Sequence, residues 1–205
     1  MRRRTLDLLF SIGGLILAGL LFTLGLVLTN NANFANDYVT NQLSQQKITF
    51  TPRDKLSDEE SKSACVVNYA GKSLTTGKQA ECYANDYIGL HVKALADGKT
   101  YAELGTPQRA LRDQIAEAKE TNDPALADLE GQLTEITDQR ETLFKGETLR
   151  GLLLTSYGFS VFGDKAEQVA AIAYIVSVLM LLLSIAGLAH AFAVHKSEAF
   201  APADD

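Results

Sequence analysis

Histidine and cysteine are scarce in this 205-residue chain, at three and two residues, and charge is missing altogether from two long stretches. The histidines, His91, His190 and His195, are split between the middle of the chain and its C-terminal end, so no three of them converge on a metal ion. Glycine loops that cradle phosphate, nucleophile elbows and metalloprotease helices are absent as well. Gly71-Lys72-Ser73 lacks the upstream glycine of a phosphate loop, and Asp58-Glu59-Glu60 has no convergent ligands nearby, so it reads as a solvated turn or helix start. With no acid, base and nucleophile to assemble, no catalytic, cofactor-binding or metal-ligating residue is assigned, no cofactor is expected, and the chain is not read as an enzyme. Between the two charge-free stretches, clustered Lys and Arg are missing too. Residues 29–168 carry 15 Lys and Arg against 21 Asp and Glu, an acidic balance that excludes nucleic acid as a partner.

The charge-free stretches are residues 8–28 and residues 169–194, each long enough to span a bilayer and neither showing the polar stripe of a buried soluble helix. Arg2, Arg3 and Arg4 before the first stretch would suit a cleaved leader. Its apolar run is too long for one, however, and it opens into Thr29-Asn30-Asn31 with no small-residue cleavage site, so an uncleaved anchor is expected. Lys and Arg beside the spans set orientation. Three arginines precede the first span and Lys196 follows the second, whereas residues 29–46 have none and residues 151–168 only Lys165. Both ends are therefore placed in the cytoplasm and the middle segment outside. The expected fold is an all-α protein of the plasma membrane: a cytoplasmic start (1–7), two transmembrane helices (8–28 and 169–194) around an extracytoplasmic, mainly helical domain (29–168), and a cytoplasmic tail (195–205) of which 198–205 is expected to lack fixed structure.

Cys65 and Cys82 both fall in the exported segment and enclose a short loop, which predicts a structural disulfide. The spacing is not C-x-x-C and no histidine or third cysteine accompanies it, so a redox or metal pair is disfavoured. Helical spacing at Phe34, Tyr38, Val39 and Leu43 carries the first helix beyond the membrane surface; residues 47–52 alternate and stop at Pro52 as a short extended piece. Residues 78–96 form an amphipathic helix with Cys82, Tyr83, Tyr87, Leu90 and Leu95 on its buried side, and Tyr101 and Leu104 fold back onto the same core. His91 reads as a surface or satisfied core residue.

From Pro107 the vocabulary becomes that of long exposed helices. Leu111 and Ile115 line a first arm, Asn122-Asp123-Pro124 breaks it, and Leu126, Leu129, Leu133, Ile136 and Leu143 line a second at heptad spacing, with Arg140 where a sixth apolar residue would stand. An antiparallel hairpin over 107–145 is the expectation, a single long helix the alternative. Residues 151–163, apolar but interrupted by glycine and serine, are expected to lie in the membrane interface, and Asp164 with Glu167 to cap the second span. Small residues four apart, Gly14 with Ala18 and Gly19 with Thr23, then Ala173 with Ser177 and Gly187 with Ala191, are the candidate helix-packing positions.

Three pieces, residues 46–49 (QKIT), residues 98–104 (GKTYAEL) and residues 147–159 (ETLRGLLLTSYGF), resemble a family of small actinobacterial two-span membrane proteins. Members often carry the name aromatic ring-opening dioxygenase. Such an enzyme needs an iron site of histidine and carboxylate ligands, and this chain has one histidine in its exported segment. The resemblance therefore implies a two-span fold and transfers no catalytic residue; the 107–145 hairpin looks like an insertion relative to that family. With membrane lipids around the spans, the expected role is a non-catalytic accessory or scaffold subunit of a larger membrane protein complex, a respiratory supercomplex being one host. The alternative is an envelope lipid or small-ligand binder, suggested by the apolar 151–162 stretch beside Tyr83, Tyr87 and Tyr101.

Overall fold

A leucine-rich stretch without charge has one economical way to satisfy its backbone amides, which is to bond them to its own carbonyls as a helix. In the computed structural model, which describes residues 3–193, α1 runs over Arg3–Gln45 and α6 over Leu126–Ala193. Between them lie four short or medium helices: α2 (Ala64–Tyr69), α3 (Gly77–Cys82), α4 (Gly89–Leu95) and α5 (Gly105–Thr121). A π-helical turn, Tyr83–Ile88, joins α3 to α4, so the amphipathic helix expected over 78–96 is one helical path with a bulge in it. No strand occurs among the described residues; Thr49 and Ser73 form a single antiparallel bridge, flanked by Phe50 N–H to Lys72 O at 3.0 Å and Leu74 N–H to Ile48 O at 2.9 Å.

α1 and α6 each contain a window long and apolar enough to cross a membrane, and only 17% and 22% of those windows is buried inside the molecule. Outward-facing Phe10, Ile16, Leu20, Leu182, Leu183 and Phe192 cover them, the reverse of a soluble core helix. The expected tail at 195–205, with His195 and Lys196, lies outside the described residues.

The chain divides into two units: residues 1–37 with 161–205, and residues 38–160. The second unit has its own core, in which Phe50, Leu74 and Val66 are fully buried among Val39, Leu43, Ala80, Ala84, Ile88 and Leu153. The Cys65–Cys82 disulfide ties α2 to α3, with Cα atoms 6.0 Å apart. α3 begins with a capping box in which Thr76 accepts from Gln79 N–H and the Gln79 side chain reaches back. A smaller cluster, Ala96, Leu104 and Leu143, receives Leu104; Tyr101 stays outside it, lying against Arg140 and Phe144. Leu95 is exposed, because the π turn adds a residue and rotates the end of α4 away from the core.

α5 and the start of α6 pair antiparallel. Ile115 and Ala118 are buried, Leu111, Leu126, Leu129, Leu133 and Ile136 are half-buried, and Leu143 is fully covered. Asn122 takes the left-handed conformation at φ 52°, which asparagine tolerates, and Asp123 N–H closes a six-residue turn onto Ala118 O at 2.9 Å. Arg140 fills the missing seam position with a polar layer. Its Nε donates to Tyr101 O, its Nη1 to Gln108 Oε1, and Gln108 Nε2 donates to Thr137 Oγ1 at 2.7 Å.

The Asp164–Glu167 pair departs from expectation: it lies inside α6 and caps nothing, and residues 151–163, expected at the membrane interface, belong to the same unbroken helix. Thr155, Ser156 and Ser160 donate their hydroxyls to carbonyls of their own helix, so the polar residues that suggested an interruption are satisfied without one. Single glycines cost an established helix only about 1 kcal/mol each.

Replacing both cysteines by serine removes a cross-link spanning 17 positions and is expected to lower the stability of the 38–160 unit by about 3 kcal/mol. Thermal unfolding of the wild type with and without reductant, beside C65S/C82S, measures it; a superimposable transition for all three samples would contradict the assignment.

Candidate functional site

Three arrangements have the specificity expected of a functional region. In the first unit, small residues recur every seven positions, all of them buried: Ser11, Ala18, Gly25 and Ala32 on α1, and Ala170, Ser177, Ser184 and Ala191 on α6. Gly14 and Gly187 alternate with them. The helices run antiparallel, with Gly187 opposite Ser11, Gly14 opposite Ser184 and Gly25 under the ring of Tyr174. A methyl group at Gly14 would overlap Ser184 Oγ, and one at Gly25 would sit 2.6 Å from Tyr174 Cε1. Ser177 Oγ crosses the contact to donate to Ala18 O at 2.8 Å, and the hydroxyls of Thr29 and Tyr174 are 3.1 Å apart. Alternating intervals of three and four are those of a left-handed helix pair, and small residues bring the backbones together.

Of the packing positions inferred from sequence, Gly14, Ala18, Ala173, Ser177, Gly187 and Ala191 lie on this seam. Gly19 and Thr23 do not. One residue beyond Ala18 turns the helix by about 100°, so both point away from α6, and Thr23 merely donates to Gly19 O at 2.9 Å. Gly25 and Ser184 take their place. The seven-residue interval, rather than pairs four apart, was the signal that would have found them. Near the start of the seam Asp7 Oδ2 lies 3.0 Å from His190 Nδ1, which gives His190 a partner across the helix pair.

In the second unit an aromatic row runs from Tyr69 through Phe50, Tyr83 and Tyr87 to His91, with ring centroids 4.6 to 5.5 Å apart. Tyr83 and Tyr87, four apart and so on one face of the π turn, stack at an inclination of only 26°. Burial, helped by Tyr87 and Glu60 nearby, pushes the Tyr83 phenol above its ordinary pKa of 10.0. Glu60, expected in a solvated turn, is 5% exposed: its carboxylate accepts Ser57 N–H at 2.7 Å and lies 3.4 Å from His91 Nε2. His91 Nδ1 must donate to the Tyr87 carbonyl 2.8 Å away, so His91 links the π turn to the 57–60 loop. No sequence signal marked that pairing. Cys65, Cys82 and Asp86 are the one convergent set of metal-type side chains among the described residues, but the two sulfurs are bonded to each other and offer no thiolate.

The third arrangement is an apolar groove of about 320 Å³, also in the second unit, between the end of α1 and the middle of α6. Tyr38, Val39, Leu149, Leu152 and Phe159 line it, with Gln42, Gln46 and Ser156 at its polar edge. Leu152 is 62% exposed and Phe159 is exposed beside it, while Tyr38 and Phe159 rings are 6.0 Å apart. Tyr83, Tyr87 and Tyr101, grouped with this stretch from the sequence, do not line the groove. Comparison with known protein families, characterised proteins and solved structures found no match to this chain.

Gly14→Leu is expected to destabilise the helix pair by about 1 to 3 kcal/mol through overpacking, whereas Gly19→Leu is expected to be nearly neutral. Thermal unfolding in a mild detergent compares them; equal melting temperatures would remove the seam as the site of close contact.

Proposed function

We propose that this chain is a non-catalytic accessory or scaffold subunit anchored in the plasma membrane by residues 8–28 and 169–194, with both ends in the cytoplasm and residues 29–168 outside. The reading is supported by two helices whose outward faces are leucine, isoleucine and phenylalanine, a surface that only lipid or another apolar helix satisfies. The observation that carries the partner role is the groove: Leu149, Leu152 and Phe159 recur at helical spacing on α6, exposed, beside Tyr38 of α1. Two helices presenting an apolar trough accept a third helix by the packing that already joins them to each other. A larger membrane complex, a respiratory supercomplex among the candidates, supplies such a helix. The likeness of residues 147–159 to small actinobacterial two-span proteins agrees with an envelope role, because that segment contributes most of the groove.

A second reading, an envelope lipid or small-ligand binder, is favoured by the same trough, whose volume suits part of one acyl chain.

Native purification in mild detergent is expected to recover the chain with a larger membrane assembly, and Leu152→Arg to release it while leaving its own melting temperature within about 1 °C. Migration of the wild type only as a free monomer or homo-oligomer would overturn the accessory role; stoichiometric lipid retained by the wild type and lost in L152R would favour the second reading. Sidedness is tested separately: Lys119→Cys is expected to react with a membrane-impermeant maleimide in intact cells, and reaction only after lysis would reverse the orientation.

A further inference from the structure

Beside α4 lies a polar cleft of about 290 Å³ with no part in the functions above, walled by α4, the turn at 96–101 and α6. Three cations, Lys93, Lys99 and Arg150, line it, against one carboxylate, Glu147. The exported segment is acidic overall, so a local excess of two positive charges stands out against it. Among the described residues neither lysine has an ion-pair partner. Arg150 is held on two sides but loosely: Nη1 is 3.2 Å and 3.5 Å from the Glu147 oxygens, and Nη2 is 3.3 Å from Asn85 Oδ1, all longer than usual charge-assisted bonds. Its Nε–H is buried and has no acceptor, the one such side-chain atom among the described residues. That N–H is packed toward Gly89 and shut off from solvent, so a ligand in the cleft would meet the Nη edge of the guanidinium instead.

The neighbouring donors define what that ligand is. The amides of Gly98 and Lys99 are spent on Lys93 O and Ala96 O, and the Thr100 amide and hydroxyl both go to Glu103, whose carboxyl those bonds hold below its ordinary range. The donors left facing the cleft are the two ammonium groups, the guanidinium edge, the Asn85 amide and the Tyr101 hydroxyl, with Val92, Leu143 and the Tyr101 ring as a partly apolar floor. We infer that this cleft binds the phosphate group of a small phosphate monoester, Arg150 and the two lysines sharing its charge and the floor accepting its organic part. A single carboxylate would leave half of the net two positive charges uncompensated, whereas a dianionic phosphate with three terminal oxygens matches them.

The test uses the full chain in nonionic detergent, folded by its melting curve, titrated calorimetrically with inorganic phosphate and with glycerol 3-phosphate, with glycerol as the uncharged control. Saturable binding of the ester, tighter than that of inorganic phosphate, is expected, weakened about tenfold or more in Lys93→Gln/Lys99→Gln and in Arg150→Lys. Lys119→Gln, which removes an exposed cation paired with Glu130 and lining no part of the cleft, is expected to leave it unchanged. A parallel titration into phosphatidylcholine nanodiscs with and without phosphatidic acid separates a lipid headgroup from a free ester: binding confined to phosphatidic acid and lost in K93Q/K99Q would keep the phosphate site and assign its source to lipid. Absence of saturable binding in every arm, or binding that survives K93Q/K99Q with an unchanged melting curve, would overturn the proposal. None of these outcomes depends on whether the chain co-purifies with a partner.

Discussion

Close approach of two backbones is the constraint on which the first unit depends. Helices whose outer surfaces are leucine and phenylalanine gain no more from burying apolar area against each other than against any other apolar surroundings, so association has to come from short-range contact. Contact of that kind needs small side chains at every position of the seam, and both helices supply them: glycine, alanine and serine between Ser11 and Ala35 on α1 and between Gly163 and Ala191 on α6, with few larger exceptions. Serine fits for a second reason. It is little larger than alanine, and its hydroxyl finds a carbonyl either in its own helix or, at Ser177, in the other.

The second unit solves a different problem, since about 120 residues of short helices must hold together without strands. It relies on aromatic rings and covalent linkage. Phe50, fully buried, is reached from three directions: by the bridge that pairs residues 48–50 with 72–74, by Tyr69 from α2, and by Tyr83 from the π turn. The disulfide binds α2 to α3 on the same side, and the Glu60–His91 contact ties the 57–60 loop to α4. The π turn holds Tyr83 and Tyr87 on one face and, by its extra residue, leaves Leu95 in solvent.

What the residues disclosed in advance follows the range of the forces involved. Charge-free stretches at 8–28 and 169–194, the break at Asn122 and the pairing of the only two cysteines rest on composition or on neighbours in sequence, and each was readable. Asp164 and Glu167 misled because capping-box spacing also occurs inside a helix: α6 runs through them from Leu126, and Thr155, Ser156 and Ser160 ahead of them bond to carbonyls of that same helix. Gly19 and Thr23 were drawn from the right principle at the wrong interval. Glu60 and His91 are 31 positions apart, and Lys93, Lys99 and Arg150 lie on three different elements; such groupings exist only once the chain has folded, so no local pattern announces them.

The seven-residue repeat on both faces has a mechanical corollary. Sliding α6 along α1 by one full heptad, about 10 Å, would replace Gly14 against Ser184 by Gly14 against Ser177, with Ala18 then near Ala173, so the small residues alone define a ladder of nearly equivalent rungs. Tyr174 breaks the degeneracy: its ring lies over Gly25, where a Cβ would overlap it, and its hydroxyl meets Thr29, whereas one heptad away the ring would face Ala18 or Ala32. One tooth on an otherwise smooth rack fixes the stroke of the whole pair.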